Sequence, residues 1–185
     1  MSDGRLLLHV AQFFPSHVVE RQRFDKGPVE ARIPGFEILI VQPKDPEDGW
    51  RYLTDGARDV SIYDGRNEYL LEAPSRDDVH LETLSMVANF HAKQEHGGVH
   101  VGRILDIGRP WVDGASCDHL QVSLPYTLGP DFERVPGKPR TQILWLVPIT
   151  KREADFARTE GVEALEQIFE REQIDTLDPT RISVV

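Results

Sequence analysis

The sequence is short of cysteine and of long apolar runs. One cysteine, Cys117, in 185 residues excludes an internal disulfide and is typical of a reducing compartment. No apolar run approaches the ~20 residues that span a bilayer, and the N-terminal stretch MSDGRLLLHV is too weakly apolar for a secretory signal. We therefore expect a cytoplasmic protein that does not enter a membrane.

Basic residues are also few. The chain has 21 Lys plus Arg against 31 Asp plus Glu, for a formal charge of −10. Such a chain repels nucleic-acid phosphates at long range, so nucleic acid is not an expected partner. It attracts a basic protein, such as a toxin or a regulatory protein, mainly by raising the association rate. The alternative is that the charge only maintains solubility.

Sequence motifs of the common enzymes are missing as well. The chain contains no G-x-S-x-G, no phosphate-binding loop and no dinucleotide fingerprint. We expect no cofactor and no catalytic activity from these absences.

What the sequence does contain is typical of one folded domain. Its 39% hydrophobic and 28% charged residues are ordinary for a globular protein, and its length suits a single domain over residues 1–185. Strand-like runs and helix-like runs come in blocks, which predicts an α+β fold with a mixed, mostly antiparallel sheet flanked by helices. The predicted strands are 36–43, 50–54, 68–74, 99–105, 119–126, 141–148 and a short C-terminal run.

Helix signals are fewer. Residues 5–14 read as either a short helix or a strand. Ser75 with Asp78 predicts the start of a helix that ends at Gly97. Thr150 and Glu153 form a T-x-x-E capping box for a further helix, which Gly161 either kinks or divides.

The run ILWLVPITKREADF, residues 143–156, contains a proline inside a strongly apolar stretch. We expect this strand to pair with 119–126 as a hairpin, with Pro125 at its loop end and Pro148 at the opposite end, where pairing stops. The following helix carries an acidic face of Glu160, Glu163, Glu166 and Glu170. That face is either solvated or a docking surface for a basic partner.

Two groups of residues resemble reactive sites. His91, His96 and His100 are close enough in sequence to suggest a metal site, although a spacing of five places His91 and His96 off a common helix face, which favours ordinary histidines at a helix end. Cys117 and His119 are two residues apart on a predicted strand, where they would share a face as a thiolate–imidazole pair. These two groups define the alternative function, a metal- or cysteine-dependent enzyme.

Aromatic and acidic residues at predicted strand ends, loops and turns indicate protein contacts. Trp50, Tyr52, Trp111 and Tyr126 lie at predicted strand ends or loops, where aromatics often form interfaces. Asp55, Asp59 and Asp64 form an acidic cluster whose spacing fits no calcium loop, but which suits an acidic rim.

The last third of the chain resembles the Suppressor of fused family. The resemblance is carried by SLPYTLGPDFE, by ILWLVPITKREADFARTEGVEALEQIFE and by LDPTRISVV, which follow one another as they do in the family. The stretches WRYLTDGARDVSIY and LETLSMVANFHAKQEH extend it upstream, so that it covers residues 36–185.

The resemblance implies a compact α+β domain without established catalytic residues. The animal member adds a second domain and grips an extended peptide of a zinc-finger transcription factor, whereas single-domain bacterial members resemble immunity proteins that neutralise a cognate toxin. The family's tryptophan strand and turn correspond here to Trp50, Tyr52, Asp55 and Asp59. With Trp111 and Tyr126, these form the predicted contact surface.

Overall fold

A computed structural model describes residues 4–60, 66–93 and 97–185. The strands in these residues form one eight-stranded sheet. The strands are β1 Val19–Arg23, β2 Glu37–Val41, β3 Trp50–Asp55, β4 Asn67–Ala73, β5 Ile104–Asp106, β6 Cys117–Ser123, β7 Arg134–Val135 and β8 Thr141–Thr150. The helices are α1 Arg5–Phe13, α2 Pro28–Arg32, α3 Asp78–Lys93, α4 Pro130–Glu133, α5 Lys151–Glu160 and α6 Val162–Glu172.

The sheet is mixed but mostly antiparallel, which confirms the predicted fold class. Its strand order is β1-β2-β3-β4-β8-β6-β5, with β7 paired to β8. Only the β4–β8 pair is parallel among the described strands. The chain reaches that pairing through α3 and the β5–β6 hairpin, so the last long strand is inserted between two earlier ones.

Both faces of the sheet are covered by helices. Alternate residues of a strand point to opposite faces, and Leu144 and Leu146 pack with α2 and α3, whereas Ile143 and Trp145 pack with α1, α4, α5 and α6. Burial on both faces explains why β8 reads as one continuous apolar run rather than an alternating one.

The predicted β6–β8 hairpin is present, with Ser123 opposite Trp145 and Leu120 opposite Pro148. The position expected for Pro148 is wrong, because β8 continues through it to Thr150. The ladder from β4 ends at Leu146, so Pro148 lies where β8 has only β6 beside it. A missing N–H donor costs least in such a position.

Capping contacts define the helix ends. The Thr150–Glu153 capping box is confirmed in both directions, at 3.3 and 2.8 Å, and Gly161 divides α5 from α6. The start predicted for α3 is corrected by two residues. Asp77 rather than Ser75 accepts the free amide of Val79, at 2.9 Å, because α3 begins only at Asp78.

Three further expectations are resolved. In residues 5–14, where the sequence allows either a helix or a strand, the structure has helix α1. The predicted strand 99–105 is mostly wrong, because only Ile104 begins a strand and Gly102 sits in a turn at φ +83°. The C-terminal strand is also wrong, since residues 181–185 have no regular structure. No helix within the described residues is both long and apolar enough to cross a bilayer.

Candidate functional site

An open groove lies between helix α6 and the end of the β6–β8 hairpin, with a volume of about 710 Å³. We call it the acidic groove. It is lined by Gln121, Ser123, Tyr126, Thr127, Trp145, Val147, Glu163, Glu166, Gln167, Phe169, Glu170, Ile174 and Thr176.

One wall of the acidic groove is a row of carboxylates on α6. Glu163, Glu166 and Glu170 are spaced i, i+3 and i+7, which places them on one helix face. Within the described parts of the chain, none of the three forms an ion pair. The wall therefore carries negative charge that is not paired with a cation among the residues that the structure describes.

The hairpin fixes the position of the central carboxylate. Gln121 donates from Nε2 to Glu166 Oε1 at 2.8 Å, and Ser123 donates from Oγ to the same oxygen at 2.6 Å. Both donors lie on one face of β6, opposite Val147 and Trp145 of β8. The strand pairing thus holds Glu166 against the sheet and leaves its other oxygen for a ligand.

The floor of the groove is apolar but contains unsatisfied polar atoms. Trp145 and Val147 are 8% and 4% exposed, and Phe169 and Ile174 complete the apolar lining. The buried Trp145 Nε1 donor has no acceptor, and the buried Gln121 Oε1 acceptor has no donor. Buried polar groups are normally paired, so these two atoms are exceptions next to the groove within the described residues.

The predicted contact residues separate into buried and exposed ones. Tyr52 and Trp111 are each 0% exposed, so the expectation that they lie outside the core is wrong. They pack on either side of His80, at ring-centroid distances of 5.0 and 5.6 Å. The Tyr52 hydroxyl donates to the Ser75 carbonyl at 3.3 Å, so its polar end serves the fold.

Asp55 is buried too, at 1% exposure. Arg58 donates from Nη1 to Asp55 Oδ1 at 2.9 Å and to Glu68 Oε1 at 2.7 Å, and Arg21 Nη2 lies 3.2 Å from Asp55 Oδ2. Both oxygens of the Asp55 carboxylate are therefore paired with arginines inside this network. The sequence predicts an exposed rim here because Asp55-Gly56 is typical of a turn. Nothing in the local sequence indicates that a buried arginine pairs with the aspartate.

Glu68 is the centre of that network. It accepts from the Thr54 hydroxyl at 2.5 Å and from the Gly56 amide at 2.9 Å. Complete burial raises the pKa of Glu68 to about 7, although Arg58 and these donors oppose the rise. The contacts fasten the turn after β3 to the neighbouring strand β4, which is a structural role.

The other predicted contact residues are accessible but lie apart. Tyr126 is 61% exposed and stands at the rim of the acidic groove. Trp50 is half-buried under Arg76, whose guanidinium lies 5.6 Å from a ring centroid, and the Asp59 side chain is 52% exposed. Neither Trp50 nor Asp59 lines the groove. Asp64 lies outside the described residues.

The predicted histidine site is not assembled among the described residues. His91 is buried, and its Nδ1 accepts the Val99 amide at 3.2 Å, while burial lowers its pKa. His100 is exposed, and His96 lies outside the described residues. No group of three or more potential metal ligands occurs within residues 4–60, 66–93 and 97–185.

The cysteine pair has an unfavourable setting for nucleophilic chemistry. A bulge between Cys117 and His119 interrupts the regular alternation on which a shared face depends. Cys117 is 1% exposed, and burial raises the pKa of its thiol to about 11. The His119 ring pairs through Nδ1 with Asp118 Oδ1 at 2.7 Å. Cys117 therefore serves as a small apolar core residue.

Sequence reasoning missed most of the groove. It identified the α6 glutamates and Tyr126, but not Gln121, Ser123 or Trp145. One signal was present: Gln121 and Ser123 are polar residues two apart on either side of Val122 in β6, so they share a face. The partner of that face depends on where α6 packs.

Comparison with known proteins shows to which family the chain is similar. The family model of Suppressor of fused protein (SUFU) matches residues 32–182. The solved structure of a SUFU homologue from Neisseria gonorrhoeae FA 1090 is 31% identical, with a TM-score of 0.87, over 100% of this chain and 97% of that one. Comparison with curated proteins finds no match.

Two more distant structures share the fold. The Sufu–Fu complex aligns with a TM-score of 0.71 at 12% identity, over 99% of this chain and 92% of the matched one. Drosophila Suppressor of Fused aligns with a TM-score of 0.69 at 11% identity, over 97% of this chain but only 50% of its own. With its mixed sheet, its helices on both faces and a family match over most of its length, the chain belongs to the Suppressor of fused family.

Proposed function

We propose that this chain is a single-domain, non-catalytic protein-binding module that captures a basic partner protein at the acidic groove. The observation that carries the proposal is the row Glu163, Glu166 and Glu170, which lines an open groove and forms no ion pair within the described residues. Carboxylates in this arrangement attract a basic surface and orient it on approach.

Two features favour binding over catalysis. The buried thiol of Cys117, with a pKa raised by burial, is a poor nucleophile. The groove offers aromatic rings, which are enriched at protein interfaces, beside carboxylates that attract a basic surface. A relative of the same fold has been solved as the Sufu–Fu complex, and protein binding by this domain is consistent with that example.

The finer proposal is that the domain is an immunity protein that neutralises a basic toxin in the cytoplasm. A net charge of −10 suits rapid capture of a basic enzyme, because complementary charge raises the association rate. Tyr126 belongs to the proposed surface. Trp50 and Asp59 stay predicted contacts on a separate surface.

The test is a pair of triple variants with equal changes in charge. Glu163→Gln, Glu166→Gln and Glu170→Gln together remove the charge of the groove. Asp25→Asn, Glu47→Gln and Asp113→Asn together remove three exposed carboxylates elsewhere.

A partner captured from lysate of the source organism is then purified, and its association with each protein is measured at low and high salt. We expect the groove triple to weaken binding at least about tenfold, because it loses several charge-assisted contacts. The control triple should lower only the association rate, by about twofold to threefold. Equal losses in the two triples would show that net charge, and not the groove, binds the partner, and growth rescue by co-expression would identify the partner as a toxin.

A further inference from the structure

We infer that the acidic groove takes an arginine side chain of the partner together with the peptide groups that flank it. This inference rests on the proposed function and names its ligand. Three features of the groove point to arginine: carboxylates on one wall, aromatic rings on the floor and rim, and beside them one buried donor and one buried acceptor.

The carboxylates select a cation that can bridge several oxygens. Glu166 is held by Gln121 and Ser123 through one oxygen, so its second oxygen keeps a fixed direction. Glu163 and Glu170 flank it on the same face of α6. A guanidinium presents five donors in a planar fork that matches carboxylates in this arrangement, whereas an ammonium is a single hydrated point charge.

The aromatic residues favour the same group. Trp145 forms part of the floor, Phe169 lies beside it, and Tyr126 stands exposed at the rim. The fold already uses this chemistry beside the groove, because the guanidinium of Arg181 lies over the Phe169 ring, 5.3 Å from its centroid. Guanidinium groups stack on aromatic faces more readily than ammonium groups.

The ligand extends beyond its charged group, to the peptide groups on either side of the arginine. Trp145 Nε1 and Gln121 Oε1 are buried without hydrogen-bond partners among the described residues, and a small movement of either side chain toward the groove would pair it with a carbonyl or an N–H of a peptide group. The groove volume of about 710 Å³ lies within the range of about 300–1,000 Å³ that is typical of ligand sites. It accommodates one arginine and its neighbouring peptide groups.

The probes are three blocked tripeptides, with glycines flanking arginine, lysine or the neutral isostere citrulline. Each is titrated into the 15N-labelled full chain, and the indole N–H signals of its three tryptophans are followed by NMR, with Trp145→Phe assigning the signal of Trp145. We expect the arginine peptide to shift the Trp145 signal and leave Trp50 and Trp111 unchanged. Citrulline should bind at least about tenfold more weakly and lysine about threefold more weakly.

The same titration is repeated with Glu166→Gln, which keeps an oxygen for Gln121 and Ser123 but loses the charge. A weakening of about fivefold or more supports the arginine site. Equal binding of the arginine and citrulline peptides, or no shift at Trp145, overturns it. If those failures occur while the groove triple still loses its protein partner, the proposed function stands and only the arginine assignment falls.

Discussion

Arg58 lies between two buried carboxylates, so replacing it with methionine is a sharp test of how this fold is stabilised. Its Nη1 is 2.9 Å from Asp55 Oδ1 and 2.7 Å from Glu68 Oε1, and its side chain is 5% exposed while both partners are 0% exposed. Arg58→Met keeps a similar length of apolar side chain but removes the charge. Asp55 retains Arg21, so Glu68 is the group left uncompensated.

The expected loss is large. Removing one partner of a buried ion pair costs about 3–5 kcal/mol, which is a substantial part of the ~5–15 kcal/mol that stabilises a typical domain. Protonation of Glu68 limits the cost. Burial already raises the pKa of Glu68 to about 7 against the opposing effect of Arg58, so losing Arg58 raises that pKa further.

The pH dependence has a definite sign. A carboxyl whose folded pKa lies above its unfolded pKa binds its proton more tightly in the native state, so its contribution to stability is lost as pH rises through the folded pKa. The gap between wild type and Arg58→Met should therefore be wider at pH 7.5 than at pH 5.5.

Urea unfolding followed by circular dichroism at these two pH values measures the gap. Arg158→Met is the matched control, because Arg158 forms an exposed pair with Asp155 at 2.9 Å, and its loss should cost less than about 1 kcal/mol. A cost for Arg58→Met as small as the control's, or a gap that widens on acidification, would refute a charged Arg58 network as the anchor of this turn.

Three other predictions concern buried groups. Burial lowers the pKa of His80 to about 4, so on acidification the histidine is protonated in the unfolded state before it is protonated in the native state. The free energy of unfolding should therefore fall by up to about 3 kcal/mol between pH 6.5 and 4. His80→Leu should remove that part of the pH dependence in urea titrations. Arg181 donates to both oxygens of Glu153, at 2.6 and 2.8 Å, so Arg181→Met should cost about 3 kcal/mol and speed carboxypeptidase trimming; unchanged trimming would contradict this anchor. Because burial raises the pKa of the Cys117 thiol to about 11, thiol labelling at pH 8 should be slow in the native protein and fast in urea; fast native labelling would return Cys117 to the candidate nucleophiles.

Local sequence chemistry predicted several elements correctly. β-branched and apolar runs closed by proline identified β2, β6 and β8, and the capping box of Thr150 and Glu153 identified the start of α5. These signals succeed because each depends on residues close in the chain. Where a local signal had competitors, as at Ser75 and Asp77 or in residues 99–105, the prediction was displaced or wrong.

Exposure was the property that the sequence predicted least well. Tyr52, Asp55 and Trp111 were predicted as contacts but are buried, because His80 of α3 fills the space between the two rings and Arg58 neutralises the aspartate. A strand-end aromatic or a turn aspartate has the same local sequence whether or not another element covers it. Burial is decided by packing between elements distant in the chain.

By itself, the sequence determined the fold class, the acidic charge and the glutamate row of α6, since these follow from composition and short-range periodicity. It also carried the family resemblance, through motifs that follow one another as they do in the family. Only the tertiary structure decided what that row faces. The insertion of β8 beside β6 brings Trp145 and Val147 against Gln121 and Ser123, and the division at Gly161 lays α6 over them. A groove needs both of its walls, and here these walls come from segments about 45 residues apart, as in the contact of Gln121 with Glu166.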